Sequence, residues 1–409
     1  MAKPEASSHE VMSAPAKGEV RPGYKHTKLG WIPEEWEVEH LGNIIEIRNG
    51  QVDPKDPDFN QMTLVAPNHI ESGTGRLREK VTALEQDAIS GKYYVESGQV
   101  IYSKIRPYLR KAVLADEDCL CSADAYPISG KEQLDNRFLL LTALSERFTY
   151  YAVSASGRTG IPKVNREDLS DFIVALPPLT EQRRIAAMLG AWDRAIATVQ
   201  QLLAAQQERK RGLMQELLTG RRRFKGFGGK WKEVRLSSVV SKAKGSVVTS
   251  NEDPTGTPVI DAGSYEGGAT LYSTDTNALR CIDTDVLLLW DGSKAGRAMT
   301  GKRGIVGSTF VLLKPKEQID PGFLTARLTL DEYKIMAIRE GSGIPHVPKD
   351  FLHWYKFALP PLDEQRAIVG LLNSLDKEAA SLKEQLDHLT TQKRGLMQQL
   401  LTGAVRVKH

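Results

Sequence analysis

Two clusters of cations and aromatics, each crowded behind a strand-like run, are where this sequence could do chemistry. Gln99-Val100-Ile101-Tyr102-Ser103 is followed by Lys104, Arg106, Tyr108, Arg110 and Lys111. Asp285-Val286-Leu287-Leu288-Leu289-Trp290 is followed by Asp291, Ser293, Lys294, Arg297, Lys302 and Arg303. A lysine neutralises a phosphate as a point charge, whereas the planar fork of arginine also pairs bidentately with guanine. Roughly equivalent earlier loops carry Asn68 with His69 and Ser264 with Tyr265, and Lys163 stands beside the Gly160-Ile161-Pro162 turn. Together these residues make a candidate set for phosphate contact and base readout.

A search for catalytic groupings returns nothing of comparable weight. Gly296-Arg297-Ala298-Met299-Thr300-Gly301-Lys302-Arg303 approaches a phosphate-binding loop, but Arg303 stands where Ser or Thr would hold magnesium. A basic hairpin is the better reading of it. No GxGxxG follows a strand, and no HExxH or CxxC pair suggests a metal. Gly341-Ser342-Gly343 lacks the spacing of a nucleophile elbow. His346 invites attention, but a surface or packing role suits it better. No metal or cofactor is expected on this chain.

The elements that position the cations are marked by an internal repeat. Leu-Pro-Pro-Leu-Thr-Glu-Gln-Arg opens at Leu176, and Leu-Pro-Pro-Leu-Asp-Glu-Gln-Arg opens at Leu359. Each copy runs without a gap to Lys-Arg-Gly-Leu-Met-Gln-x-Leu-Leu-Thr-Gly, ending at Gly220 and Gly403. Apolar residues alternate at four and three, as in Ile185, Leu189, Trp192, Ile196, Val199, Leu203 and in Ile368, Leu372, Leu375, Ala379, Leu382, Leu386. A stripe of that period is buried by pairing lengthwise with a second helix. Lys210 and Lys393 interrupt it at matching places and are expected to weaken the seam there while fixing register. Thr180 and Asp363 are predicted N-caps, Glu181 and Glu364 suit the positive helix ends, and Gly220 and Gly403 are predicted C′ residues. Each helix of about forty residues is then ~60 Å long.

The duplication reaches further. Trp36-Glu37-Val38-Glu39-His40-Leu41 matches Trp231-Lys232-Glu233-Val234-Arg235-Leu236, and Gly160-Ile161-Pro162 matches Gly343-Ile344-Pro345. Between those landmarks the halves diverge, so a scaffold is copied and the globular modules are not. Each module is predicted to be α+β with a strongly bent sheet; Phe138–Ser154 and Pro321–Ile338 read as helical. Ala404-Val405-Arg406-Val407-Lys408-His409 faintly echoes Arg221–Phe224.

Composition sets outer bounds. The chain has 409 residues, 41% hydrophobic and 26% charged, which suits two or three packed domains. Net charge is only +4, but it is concentrated: basic residues crowd Arg209–Arg235 against Glu216 and Glu233 alone. Cys119, Cys121 and Cys281 offer no disulfide framework, and no apolar run has the ~20 residues of a membrane helix. Residues 1–22 read as a disordered leader without a signal core, and the expected location is the cytoplasm.

The twice-written Leu-Pro-Pro-Leu-x-Glu-Gln-Arg opening, the Lys-Arg-Gly-Leu-Met-Gln-x-Leu-Leu-Thr-Gly ending and the Trp-Glu-Val module start resemble the specificity subunits of type I restriction–modification enzymes. The resemblance covers about Tyr24 to Val407. It implies an α+β chain with two target-recognition domains, at 23–175 and 221–358. Long helices at 176–220 and 359–409 would pack as an antiparallel coiled coil, giving an internal pseudo-twofold. It also implies a subunit without catalysis of its own, reading a bipartite, asymmetric sequence in double-stranded DNA. Two methyltransferase subunits and restriction/translocase subunits would be its partners. S-adenosylmethionine, ATP and Mg2+ would belong to those partners. Two other readings are a coiled-coil scaffold that binds only proteins and an enzyme with an unfamiliar site.

Overall fold

The structure, a computed structural model, describes residues 21–157, 160–265 and 267–407, so the predicted leader lies outside them except for Arg21 and Pro22. The chain forms two compact units, Met1–Thr198 with Leu386–His409, and Val199–Gln385. Each unit contains one globular module and parts of both long helices.

In unit 1 the four residues of Val100–Ser103 are all buried at the centre of an antiparallel sheet. Ala112–Leu114 pairs on one side and Ala125–Gly130 on the other, with Ile45–Ile47 beyond the latter. A separate three-stranded sheet sets Leu64–Val65 parallel to Cys119–Cys121, which is antiparallel to Tyr93–Val95. Two helices, Asn136–Leu144 and Glu146–Ala155, close the core. There Tyr102, Phe148 and Phe172 stack edge to face at 5.4 and 5.0 Å.

Unit 2 repeats this plan with other side chains. Val286–Leu289 is the buried centre, flanked by Ala298–Thr300 and Phe310–Pro315, with Val240–Lys244 outermost. Thr257–Ile260 runs parallel to Gly304–Val306, which is antiparallel to Arg280–Cys281; Tyr272–Ser273 adds an edge strand. The single bent sheet expected for each module is therefore two larger sheets among the described residues, with the two-stranded ribbons Glu37–His40/Ile173–Leu176 and Tyr24–Thr27/Gly30–Pro33 in unit 1 and Lys232–Arg235/Lys356–Leu359 in unit 2. The run 138–154 is likewise two helices, because Ser145 takes an extended conformation (φ −68°, ψ 151°) and its hydroxyl accepts from Phe148 N. The run 321–338 breaks at Asp331, which takes φ −95°, ψ 7° and makes no side-chain cap bond, into Pro321–Leu330 and Glu332–Ala337.

The long helices span Leu179–Leu217 and Leu362–Thr402. They lie antiparallel within each unit. In unit 1, Asp193 pairs with Lys393 (2.6 Å) and Glu181 with Arg406 beyond the helix end. In unit 2, Lys210 pairs with Asp376 (2.5 Å) and Gln206 donates to Glu378. The two seam lysines thus meet a carboxylate of the facing helix instead of weakening the contact, and the register role falls to these pairs. Thr180 and Asp363 lie inside the first turn and are not the caps. The helices open on proline carbonyls, with Pro178 O accepting from Glu181 N and Gln182 N, and Pro361 O from Glu364 N and Gln365 N.

The repeated Glu-Gln dipeptide has a clear purpose. Gln182 is fully buried; its amide donates to Gln133 O and Pro177 O and accepts from Asp135 N. Gln365 makes the same three bonds with Gln318 O, Pro360 O and Asp320 N. Glu181 accepts from the Trp36 indole at 2.9 Å and from the fork of Arg406. Glu364 accepts from Trp231 at 3.1 Å and from the fork of Arg223. The faint C-terminal echo is therefore functional geometry, with Arg406 doing in unit 1 what Arg223 does in unit 2. Gly220 (φ 72°) and Gly403 (φ 71°) end the helices left-handed; a Cβ at Gly403 would collide with the Pro33 ring, and one at Gly220 would only touch the Trp231 ring.

Candidate nucleic-acid interface

In unit 1 the central strand leads directly into a loop held by backbone bonds to its neighbours. Lys104 N donates to Asp124 O, Arg106 N to Pro162 O, and Gly73 N to Arg110 O. Pro107–Leu109 makes a 3-10 turn between Arg106 and Arg110, both left-handed. Lys104 is 9% exposed, with its ammonium 5.0 Å from the Tyr126 ring centroid. Burial, and then the nearby charges of Lys163 and Arg166, push its pKa below the usual lysine range; Asp124 opposes this. Lys111 is pushed down in the same way, by burial and then by Arg78 and Arg106. Six cations thus press on one loop, a concentration of positive potential suited to an anion.

Not all of the residues chosen from sequence belong to that surface. His69 is 5% exposed, and its Nδ1 sits within its own turn, 3.0 Å from Leu64 O and 3.2 Å from Ala66 N. It shapes the loop, while Asn68 on the same turn is exposed. The Arg110 guanidinium is turned inward onto Leu144 O, and burial lowers its pKa. Lys111 donates to Pro67 O, leaving its charge half-buried at the base of the loop. Lys163 and Arg106 remain exposed.

Unit 2 presents its cations differently. Arg297 is paired with Glu332 at 2.8 Å and Arg303 with Asp283, the second pair largely open to solvent. Ser264 uses its hydroxyl in its own turn, accepting from Asp261 N at 3.1 Å and lying 3.1 Å from Asp261 O. Tyr265 packs edge-on to Phe310, with centroids 6.2 Å apart. Lys294 is half-buried and Lys302 exposed. The stretch 296–303 contains the strand Ala298–Thr300, which returns along Val286–Leu288, and then turns at Gly301 (φ 77°) toward the second sheet, so it is a strand and its exit turn and not a phosphate cradle.

Sequence reading missed several cations. Lys242 lies over the Trp290 ring at 4.2 Å, and burial followed by the charge of Lys244 lowers its pKa. Lys244 itself pairs with Asp291. The Lys-Ala-Lys alternation at 242–244 carried that signal, because residues two apart on a strand share a face. Arg166 donates to Ile47 O and Arg48 O from within a capping-box turn, and nothing in its local sequence marks it.

Two unlike basic loops on two copies of one frame define a duplicated, two-module class of protein. The family described as the type I restriction modification DNA specificity domain matches residues 33–205 and again 228–391, once per repeat. The chain belongs to that family. It is 40% identical over 171 residues to the EcoDI type I restriction enzyme specificity subunit of Escherichia coli, a match covering 42% of this chain and 38% of that one. It is 25% identical to a Methanocaldococcus jannaschii protein provisionally assigned as the MjaX type I restriction enzyme specificity subunit, over 94% of this chain and 97% of that one. Among solved structures, a chain from work on complex assembly and conformational transition of the type I R-M system superposes with a TM-score of 0.62. It is 23% identical, covering 91% of this chain and 99% of its own.

Proposed function

We propose that this chain reads a bipartite, asymmetric sequence in double-stranded DNA on behalf of a type I restriction–modification enzyme. Its target-recognition domains would fall at 23–175 and 221–358, and its spacer helices at 176–220 and 359–409. The reading rests on one observation above the others. The Trp–Glu–Arg and Glu-Gln contacts are duplicated almost atom for atom, while the loops after the two central strands carry unrelated side chains. A frame copied so closely under unlike loops suits two readers with different half-sites.

The chain performs no chemistry of its own on this reading. It brings two methyltransferase subunits, and restriction/translocase subunits, to the target in the cytoplasm. S-adenosylmethionine, ATP and Mg2+ serve those partners. Both EcoDI and MjaX carry the words restriction enzyme specificity subunit in their names, which supports the assignment. The test is to select bound duplexes from a library with a randomised centre. Two unlike conserved blocks at a fixed separation are expected, with binding that weakens steeply as salt rises. Equal binding of all duplexes would refute the reading and favour a scaffold that binds proteins only.

A further inference from the structure

The loops after the two central strands are the same construction. Arg106 N donates to Pro162 O and Gly292 N to Pro345 O, both at 2.8 Å. Val164 N reaches Lys104 O where Val347 N reaches Trp290 O, and Ser103 N meets Lys111 O where Leu289 N meets Arg297 O. In both loops the backbone turns left-handed twice. Unit 2 places glycines there, Gly292 at φ 114° and Gly296 at φ 108°. Unit 1 places Arg106 and Arg110, each at φ 50°.

A side chain at positive φ crowds its own backbone, and among the described residues only Asp87 shares this condition with the two arginines. Arg110 has an internal reason to be there, since its guanidinium is anchored on Leu144 O. Arg106 has none. It is exposed, and its side chain makes no hydrogen bond or ion pair among the described residues. Strain kept without an internal return points to a use outside the fold.

We propose that Arg106 is a specificity-determining residue of unit 1, its guanidinium pairing bidentately with a guanine in the major groove. The inference rests on the reading that the chain binds duplex DNA. A phosphate contact needs only a charge, which exposed Lys163 beside the loop already supplies. Base readout needs a planar fork presented from a fixed point, and the backbone bonds at Arg106 and Leu109 fix the Cα from which this one extends. Exposed Tyr108 sits two residues along on the same turn, where it can pack against the neighbouring base edge.

The test uses the protein purified with its companion subunits and the randomised-duplex selection. Arg106→Gly installs the residue that unit 2 uses, so its Tm is expected to match or exceed the parent's. One G·C position of the motif should become degenerate, with discrimination there falling roughly 5- to 150-fold and the other positions unchanged. Arg106→Lys, which keeps the charge, should lose the same position while holding affinity for unrelated duplexes. An unchanged motif in either variant overturns the proposal. So does uniform weakening on every duplex, which would make Arg106 a phosphate contact, or a marked fall in Tm, which would make it structural. A parent protein that selects no motif refutes DNA reading as a whole, a result distinct from all of these.

Discussion

Unit 1 and unit 2 place the same polar contacts under surfaces that share almost nothing. Gln182 and Gln365 each saturate three backbone groups, and Glu181 and Glu364 each hold one indole and one guanidinium. Unit 1 keeps Lys104 close enough to be repelled by Lys163 and Arg166, and Lys111 by Arg78 and Arg106. Unit 2 holds three of its cations in ion pairs, Lys244 with Asp291, Arg297 with Glu332 and Arg303 with Asp283. Buried polar groups must all be satisfied at once, so that part of a repeat tolerates little change. A surface loop answers only to its ligand. The contrast extends to the core: Arg327 of unit 2 reaches Leu218 O and Asp331, whereas Thr142, equally far from its helix cap, borders a cavity of about 450 Å3.

The largest expected effect concerns the shared frame. Gln182→Ala and Gln365→Ala each strand three backbone groups, and each should cost about 4 kcal/mol in denaturant unfolding. Unequal costs would mean that the frames are copies in geometry only. Next comes the unequal core. Arg327→Ala removes one partner of the buried Asp331, which keeps Lys334 and Tyr355, and should cost about 2 kcal/mol, while Thr142→Ala should cost only about 1 kcal/mol because its hydroxyl bonds its own helix at Phe138 O. Similar values for the two would remove that distinction.

The remaining effects concern binding. Lys163→Ala should weaken every duplex alike and reduce the salt slope by about one. Arg297→Ala, whose guanidinium is committed to Glu332, should leave the slope nearly unchanged; a drop of equal size would show that ligand binding breaks the pair. The smallest effect is on pH. Lys104 and Lys111 titrate below the ordinary lysine value of 10.5, so duplex affinity should fall as pH rises through that lowered range. The free protein should gain stability over the same interval, because the unfolded chain binds more protons there. Lys104→Arg stays charged, so fluorescence titrations of that variant should show a flatter affinity profile.

Much of this was legible from spacing alone. The two long helices, the equivalent strands at 100–103 and 286–289, and the C′ glycines follow from periodicity and from residue types that only certain backbones accept. The helix openings were misread because Thr180 and Asp363 are good caps by type, yet each directly follows Pro-Pro-Leu and falls inside the first turn. Individual site residues fared worse. His69, Arg110 and Ser264 are surface residues by type, and only their burial or their own-turn hydrogen bonds withdraw them. Lys242 escaped notice because its partner, Trp290, is remote in sequence.

The sequence by itself determined the repeat, because gap-free recurrence of Leu-Pro-Pro-Leu, Glu-Gln and Lys-Arg-Gly needs no coordinates to be seen. It determined the helices too, since a stripe of alternating fours and threes has one economical way to leave water. Tertiary structure decided which charges are spent internally and which are left for a ligand. A cation's availability depends on what lies within a few ångströms of it, and those neighbours, such as Leu144 for Arg110 or Glu332 for Arg297, come from distant parts of the chain.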